Sequence, residues 1–292
     1  MYYVIMDLEW NNSYNKKLKS FFNEIIEIGA VMVDDDLEVV DTFSVLIKSQ
    51  LSTKLSGRVK NLTHISNEDM YGGISINKAV SDFSKWIDAR DCVFMSWGNG
   101  DLRVMIDNLK FFMDIDGIPF MTKYADLQKY CQEQLGLSNA QQVGLSAAAS
   151  LFGIDISEFS THRALDDSLL SLRCFKKCFD AQKLDEHILV CDADFCKKLL
   201  FKAKFITNIN DERLDRSKMV CFCDTCRKRM RKVSEWKLVN QSFRAMFYCK
   251  NCDEHLMFSI KFKEYYDYID IKTKKTKAED LKKKDKGENK EN

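Results

Sequence analysis

Acidic side chains occur at three separated places where a predicted strand ends or a predicted helix begins. Asp7 and Glu9 lie two residues apart at the end of the first apolar strand. Because side chains alternate across a strand, both project from one face. Carboxylate oxygens are hard ligands that favour Mg²⁺ or Mn²⁺, and such a cation would relieve the repulsion between the two groups. The alternative is a solvated strand end with two unrelated acids.

A third acid, Asp101, follows a short apolar strand and the turn 97–100, and it opens a helix. Functional groups of α/β sheets gather at strand ends of this kind. The structural alternative is a helix N-cap, a position that aspartate also favours. The glycines of the turn do not form a phosphate-binding loop, because neither their spacing nor a following lysine fits one.

The segment 161–167 places a histidine, His162, on the loop before a helix, with Asp166 and Asp167 in the first turn of that helix. A histidine beside metal-binding acids could remove a proton from an attacking water. The alternative is that these residues only cap the helix and contribute surface charge.

The elements that must position these residues alternate between strands and helices. Three strands open the chain, and helical periodicity and short apolar runs follow in the order βββαβαβααα. This order predicts an α/β fold with a mixed five-stranded sheet and helices on its faces. The predicted strands are 2–9, 24–33, 38–47, 92–97 and 120–124, and the predicted helices are 75–89, 102–113, 127–135, 143–151 and 163–179.

Taken in order, the three acidic elements resemble the motifs of the DEDD exonuclease family, in its His-containing DEDDh (DnaQ-like) branch. The resemblance covers residues 1–182. Asp7-Leu8-Glu9 is similar to the first motif, Asp101 to the acid of the second, and 162–167 to the third, His-x-Ala-x-x-Asp. That spacing selects Asp167 over Asp166. Further similarity lies in 24–31 and 62–66, and 7–11 with 96–98 resembles the enhanced-RNAi and KapD-like group most.

The resemblance implies an RNase H-like fold and a 3′–5′ exonuclease. Asp7, Glu9, Asp101 and Asp167 would hold two Mg²⁺ or Mn²⁺ ions, and His162 would be the general base. The implied substrate is single-stranded nucleic acid or a 3′ overhang, RNA rather than DNA, with release of nucleoside 5′-monophosphates. The alternative is a nucleic-acid-binding protein whose exonuclease fold does not cleave.

Two tryptophans adjoin these motifs and are candidates to stack on the terminal base. Trp10 follows Glu9, and Trp97 precedes the turn before Asp101. Aromatic faces hold unstacked bases without demanding a sequence. Packing in the core is the alternative for each.

Four of the eleven cysteines form two CxxC pairs near the C-terminus, with 22 residues between the pairs. Cys223, Cys226, Cys249 and Cys252 are predicted to bind one structural Zn²⁺ in a zinc ribbon. Cys221 or His255 could replace a ligand, and a redox role is the other alternative. Basic residues here interleave with Trp236, Phe243, Phe247 and Tyr248, which predicts a surface for nucleic acid. The alternative is that the ribbon contacts protein or caps the exonuclease domain.

Composition excludes several classes of protein. With 45% apolar and 30% charged residues the chain is not disordered throughout, and no window is long enough and apolar enough to span a membrane. Cysteines without a secretory signal predict a cytoplasmic protein. Residues 221–252 hold eight basic and two acidic residues, a balance suited to a polyanion. The predicted domains are 1–182 exonuclease, 183–218 connector, 219–270 zinc ribbon and 271–292 Lys-rich disordered tail.

Overall fold

The computed structural model describes residues 1–138, 141–159 and 162–277 and divides the chain into two compact units. The first unit is Met1–Leu200, and the second begins at Phe201. Among the described residues, no helix has both the length and the apolar character needed to cross a bilayer.

The first unit is built on a mixed six-stranded sheet, with the order β3-β2-β1-β4-β5-β6. β1, β2 and β3 pair antiparallel, β4 and β5 continue parallel to β1, and β6 is antiparallel to β5. The five expected strands are present, and the sixth has only two residues. The strands are β1 Tyr2–Asn15, β2 Ser20–Val33, β3 Val39–Leu46, β4 Cys92–Ser96, β5 Lys123–Asp126 and β6 Leu189–Val190.

Helices cover both faces of this sheet, and the alternation of side chains along β1 shows how. Val4 and Met6 belong to one buried apolar cluster, and Tyr3 and Ile5 belong to the cluster on the opposite face. The described helices are α1 Gly57–Thr63, α2 Asn67–Gly72, α3 Ile76–Ile87, α4 Gly100–Met113, α5 Leu127–Gln134, α6 Leu145–Leu151, α7 Ala164–Cys178, α8 Ala181–Asp185 and α9 Ala193–Leu200.

Two short helices, α1 and α2, lie in a region for which the sequence predicted no regular structure. Each is capped at its start by a serine side chain, Ser56 for α1 and Ser66 for α2. Ser66 and Asp69 form a reciprocal capping box, which satisfies two backbone N–H groups that a six-residue helix leaves unpaired. Capping therefore explains helices too short for a periodicity argument to detect.

The second unit is a second six-stranded sheet, in which β12, β11, β10 and β8 are neighbours, β7 pairs with β11 and β9 pairs with β10. Its strands are β7 Lys204–Phe205, β8 Arg231–Lys232, β9 Lys237–Val239, β10 Ser242–Cys249, β11 Glu254–Glu264 and β12 Ile269–Lys277. A 3₁₀ turn occupies Arg216–Lys218.

Two predicted boundaries differ from the structure. The expected connector 183–218 is divided, because α8 and α9 belong to the first unit and β7 belongs to the sheet of the second. The expected disordered tail 271–292 is wrong for 271–277, which pair with β11 in β12. Ile269 and Ile271, which alternate along β12, pack on the core of the second unit. These two apolar residues are followed mostly by lysines, so the sequence alone did not indicate a strand. Residues 278–292 lie outside the described part of the chain.

Candidate active site and metal centres

One cavity in the first unit is lined by all five residues that the sequence singled out for catalysis. Its volume is about 870 Å³. The five residues come from three separate stretches of the chain. They are Asp7, Glu9, Asp101, His162 and Asp167. The structure therefore brings together residues up to 160 positions apart in the sequence.

Asp7 and Glu9 extend from the face of β1 that α7 covers. They continue the alternation of Tyr3 and Ile5, whose cluster includes residues of α7. In the antiparallel pair with β2, Asp7 lies opposite Gly29 and Glu9 lies opposite Glu27. The register shifts immediately after Glu9, and a bulge of this kind changes the direction of side chains at the end of a strand.

Asp101 reaches the same cavity from the first turn of α4 and is only 5% exposed. Its Oδ1 accepts a hydrogen bond from the backbone N–H of Leu8 at 3.2 Å, so its carboxyl lies beside the residue between Asp7 and Glu9. The N-cap of α4 is Asn99, not Asp101. The capping alternative therefore does not describe Asp101, whose side chain points to β1.

His162 and Asp167 close the cavity from the loop before α7 and from its first turn. The backbone N–H of His162 donates to Asp167 Oδ2 at 3.0 Å. Donor atoms of Glu9, His162 and Asp167 all lie within 4.8 Å of one another. His162 is exposed and has a left-handed backbone with φ of 67°, a conformation that non-glycine residues adopt mainly where surrounding contacts impose it.

The four carboxyls are electrostatically unfavourable to one another. Burial, followed by the charges of Asp101 and Asp167, raises the pKa of Asp7 well above its ordinary value. Burial and the neighbouring carboxylates raise the pKa of Glu9 to about 8. Burial raises the pKa of Asp101 to about 7, although the hydrogen bond from Leu8 opposes the shift, and burial also raises the pKa of Asp167. Bound cations would remove this repulsion, and oxygen donors suit hard divalent ions.

Sequence reasoning missed an ion pair that fixes the start of α7. The Arg163 guanidinium donates to both carboxylate oxygens of Glu27, with Nη2 at 2.7 Å, and the backbone N–H of Ala164 donates to the same carboxylate. Glu27 is 1% exposed, and the ion pair and hydrogen bonds compensate for the burial of its carboxylate. The available signal was an acid inside the otherwise apolar run of β2.

A second missed residue, Asn108, ties α4 to the sheet. Its Oδ1 accepts from the backbone N–H of Ile25 at 3.1 Å, and its Nδ2 donates to the carbonyls of Asn23 and Val104 at 2.8 Å. Asn108 is buried on the helix that carries Asp101, so these bonds help to fix where that carboxyl lies.

Gly29 permits α7 to approach β2 closely enough to place Asp167. A Cβ atom at this position would lie 2.1 Å from Leu165 N and 2.2 Å from Ala164 C, and both are backbone atoms. We predict that Gly29→Ala lowers the free energy of unfolding by about 2 kcal/mol or more, because the helix must move. Chemical denaturation measures this effect. Gly72→Ala, with no heavy atom within 4 Å of the new Cβ, is the control; equal stability of the two variants would contradict the packing argument.

Trp10 and Trp97 both line the cavity, and both are also partly packed into the core. Trp97 Nε1 donates to the carbonyl of Val143 at 3.0 Å, which fixes the orientation of its ring. The remaining wall comes partly from α1 and the residue before it, including Ser56, Arg58 and Val59. Neither tryptophan is thus purely a core residue.

The second unit gathers the four cysteines of the two CxxC pairs. The Sγ atoms of Cys223, Cys226, Cys249 and Cys252 lie within 4.8 Å of one another. A backbone hydrogen bond, the largest influence, lowers the pKa of the Cys226 thiol to about 7. Four sulfur donors at this separation fit one tetrahedral zinc ion. Cys221 and His255 are not part of the described cluster.

Comparison with known proteins places the first unit in a family. Residues 4–175 match the exonuclease family RNase_T, more than half of the chain. The probable 3′-5′ exonuclease KapD of Bacillus subtilis (strain 168) is 30% identical over 174 residues, 59% of this chain and 82% of that protein. A PolC-type DNA polymerase III of Staphylococcus haemolyticus (strain JCSC1435) is 25% identical over 185 residues, 62% of this chain but 12% of the polymerase.

Solved structures agree on the fold. The nuclease domain of 3′hExo, a DEDDh family member bound to rAMP, superposes with a TM-score of 0.54 at 20% identity, covering 65% of this chain and 96% of that one. A 3′-exonuclease solved for its recognition of the histone mRNA stem-loop gives a TM-score of 0.54 at 18% identity, with coverage of 65% and 84%.

Fold and family together define a nuclease, which is a hydrolase. The chain belongs to the exonuclease family, as a 3′–5′ exonuclease of the DEDDh type. The expected α/β, RNase H-like fold and the expected resemblance to KapD are confirmed. Enzymes of the DEDDh type use divalent metal ions.

Proposed function

We propose that this chain hydrolyses the 3′-terminal phosphodiester of single-stranded nucleic acid or of 3′ overhangs and releases nucleoside 5′-monophosphates. RNA is the preferred substrate over DNA in this proposal. The observation that supports it most is that Asp7, Glu9, Asp101, His162 and Asp167 line one cavity.

The donor set fits a pair of divalent ions. All four acids offer oxygen, and burial together with repulsion among the carboxylates raises their pKa values, so bound cations would stabilise their ionised forms. Two Mg²⁺ or Mn²⁺ ions held by Asp7, Glu9, Asp101 and Asp167 would supply electrostatic stabilisation of charge on the attacking and leaving oxygens.

His162 is proposed as the general base. Histidine is the side chain whose ordinary titration lies nearest neutral pH, so it can accept the proton of an attacking water under working conditions. The exposed position of His162 leaves its ring free to face the cavity, while its backbone N–H holds Asp167. Arg58, on the wall formed by α1, supplies a cation suited to a substrate phosphate.

The cavity volume suits a single terminal nucleotide. About 870 Å³ lies within the range of roughly 300–1,000 Å³ found for sites that enclose a small ligand, so one nucleotide at a strand end fits. Trp10 and Trp97 are proposed to contact the terminal base. The preference for RNA draws on the neighbour bound to rAMP and the one that recognises a histone mRNA stem-loop.

A degradation assay tests the proposal. Purified protein with Mn²⁺ is incubated with matched 20-nucleotide RNA and DNA single strands, and the products are resolved. The expected products are nucleoside 5′-monophosphates from the 3′ end, faster from RNA. We predict that His162→Ala lowers turnover about 10²- to 10⁴-fold with little change in substrate binding, because only proton transfer is lost.

His187→Ala is the matched control, because His187 pairs with Glu133 and does not line the cavity. Unchanged turnover in His162→Ala would contradict its role as the base. No mononucleotide release from any strand, with binding retained, would favour a non-cleaving nucleic-acid-binding protein instead.

A further inference from the structure

The sheet of the second unit has one buried face and one face that carries basic side chains. In β10 and β11 every second residue packs into the core, including Phe247 and Phe258. Residues directly opposite in an antiparallel sheet share a face, so the pairing register identifies the members of the other face. We call it the basic face.

The basic face is assembled from rows of paired residues across the strands. One row runs Lys237, Arg244, Ser259 and Lys274. In the next two rows, Lys261 lies opposite Lys272 and Lys263 lies opposite Asp270. In a further row, Arg231 lies opposite Tyr248, which lies opposite His255. These rows contain seven basic residues and one acid, and that acid, Asp270, pairs with Lys272 at 3.7 Å. The basic members are Arg231, Lys237, Arg244, Lys261, Lys263, Lys272 and Lys274.

Placing like charges opposite one another destabilises a sheet, so the arrangement needs another explanation than folding. Lys261 and Lys272 form such a pair directly. A polyanion lying across the strands would relieve the repulsion between these two lysines.

Aromatic rings lie among the charges, which favours nucleic acid over an acidic protein. The Phe205 ring lies 5.5 Å from Lys261 Nζ and 5.8 Å from Lys263 Nζ. The rings of Tyr248 and His255 lie 4.7 Å apart between centroids, with an interplanar angle of 36°. Rings beside cations are the combination that binds single strands, through base stacking and phosphate contacts together. The aromatic residues of the face differ from those that the sequence predicted for a nucleic-acid surface. Phe243 and Phe247 are buried, at 2% and 3% exposed, and of the predicted strand aromatics only Tyr248 belongs to this face.

We propose that the basic face binds the phosphate backbone of a single-stranded nucleic acid, with Phe205 and the Tyr248–His255 pair available for base stacking. The proposal rests on the proposed function in one respect, since it takes the substrate strand of the exonuclease as the ligand. It gives the second unit a role in holding long strands, separate from the chemistry of the cavity.

A binding measurement on the 292-residue chain tests this. Fluorescence anisotropy with a 20-nucleotide RNA, without added divalent ions, compares the wild type with the triple variant Lys261→Gln, Lys272→Gln and Lys274→Gln. Each phosphate contact on a single strand contributes about 0.7 to the magnitude of the slope of log affinity against log salt concentration, so loss of three contacts should reduce this magnitude by about 2. RNA affinity at 0.1 M salt should fall about 10- to 100-fold.

The control removes three exposed lysines of the same unit that lie outside the strands of its sheet, Lys202→Gln, Lys218→Gln and Lys228→Gln. Zinc content and thermal unfolding check that both variants are folded. The single variant Lys274→Gln, at an exposed side chain, repeats the test if the triple variant loses zinc.

A second readout separates this proposal from the exonuclease proposal. Hydrolysis of the p-nitrophenyl ester of thymidine 5′-monophosphate needs only the cavity, so the triple variant should retain it. Failure of the wild type on this ester and on long strands would count against the exonuclease and leave the binding result standing. Equal RNA affinity of the triple variant and the wild type would overturn the proposal that the basic face binds nucleic acid. The proposal would also be overturned if polyglutamate of the same charge displaced the labelled RNA as effectively as unlabelled RNA does.

Discussion

Asp101→Asn should lower turnover by about 10³-fold or more, because a metal site of this kind provides several kcal/mol of transition-state stabilisation. The substitution keeps Oδ1, so the hydrogen bond from the backbone N–H of Leu8 survives and the local structure should not change. Single-turnover kinetics with saturating Mn²⁺ measure the loss. Mn²⁺ should also raise the unfolding temperature of the wild type more than that of the variant.

In the absence of divalent ions in the cavity, Asp101→Asn should be more stable than the wild type at pH 8. In the folded protein, the pKa of each carboxyl in the cavity is raised above its value in the unfolded chain. The pKa is raised to about 7 for Asp101 and to about 8 for Glu9. The folded state therefore binds protons more tightly than the unfolded state, and stability falls as pH rises from about 4 to about 8. Removing one such carboxyl should raise the unfolding temperature by on the order of 5 °C at pH 8, and by less at pH 5.

Asp36→Asn, at an exposed turn outside the cavity, is the control for loss of one acid. Opposite effects of Asp101→Asn on turnover and on metal-free stability are what a site built for cations requires. A variant with normal turnover, or one that is destabilised equally at both pH values, would contradict the account.

Cys249→Ser should abolish zinc binding and unfold the second unit. Zinc bound by four thiolates contributes an apparent 10–16 kcal/mol, roughly, to the folding of small zinc domains, far more than one substitution elsewhere removes. Cys249 Sγ lies 3.5 Å from Cys226 Sγ, and Cys249 also ends the central strand β10. Metal analysis should give one zinc per wild-type chain and none per variant. Limited proteolysis should then digest the variant from Phe201 onward.

Cys221→Ala serves as the matched control. Cys221 is a buried neighbour of the cluster whose Sγ contacts Met230 Sδ at 3.6 Å. It should retain full zinc, since the described cluster does not include it. Zinc loss in Cys221→Ala with zinc retained in Cys249→Ser would reassign the ligands.

The sequence predicted the first unit well because its elements carry strong periodic signals. The run 24–33 was predicted from apolar β-branched residues and is the core of β2. The helix 163–179 is α7 within a residue at each end, because its apolar stripe is long. The gathering of Asp7, Asp101 and Asp167 was expected from family resemblance, since no local pattern reports distances between remote residues.

What the sequence could not show depends on contacts between elements. Glu27 reads as an oddity in a strand until Arg163, 136 positions later, is placed beside it. Gly29 matters only because a helix backbone packs against it. Residues 271–277 of β12 were assigned to a disordered tail because lysines dominate their composition, although Ile269 and Ile271 pack on the core. Only the pairing register shows that Lys272 and Lys274 share a face with Lys261.

The most direct test of the central claim is anomalous diffraction at the manganese edge, from crystals of the 292-residue chain soaked with Mn²⁺ and a nucleoside 5′-monophosphate. The account predicts two manganese peaks about 3.5–4 Å apart in the cavity, ligated by Asp7, Glu9, Asp101 and Asp167. Peaks only elsewhere on the molecule, or a nucleotide bound away from these carboxylates, would contradict it.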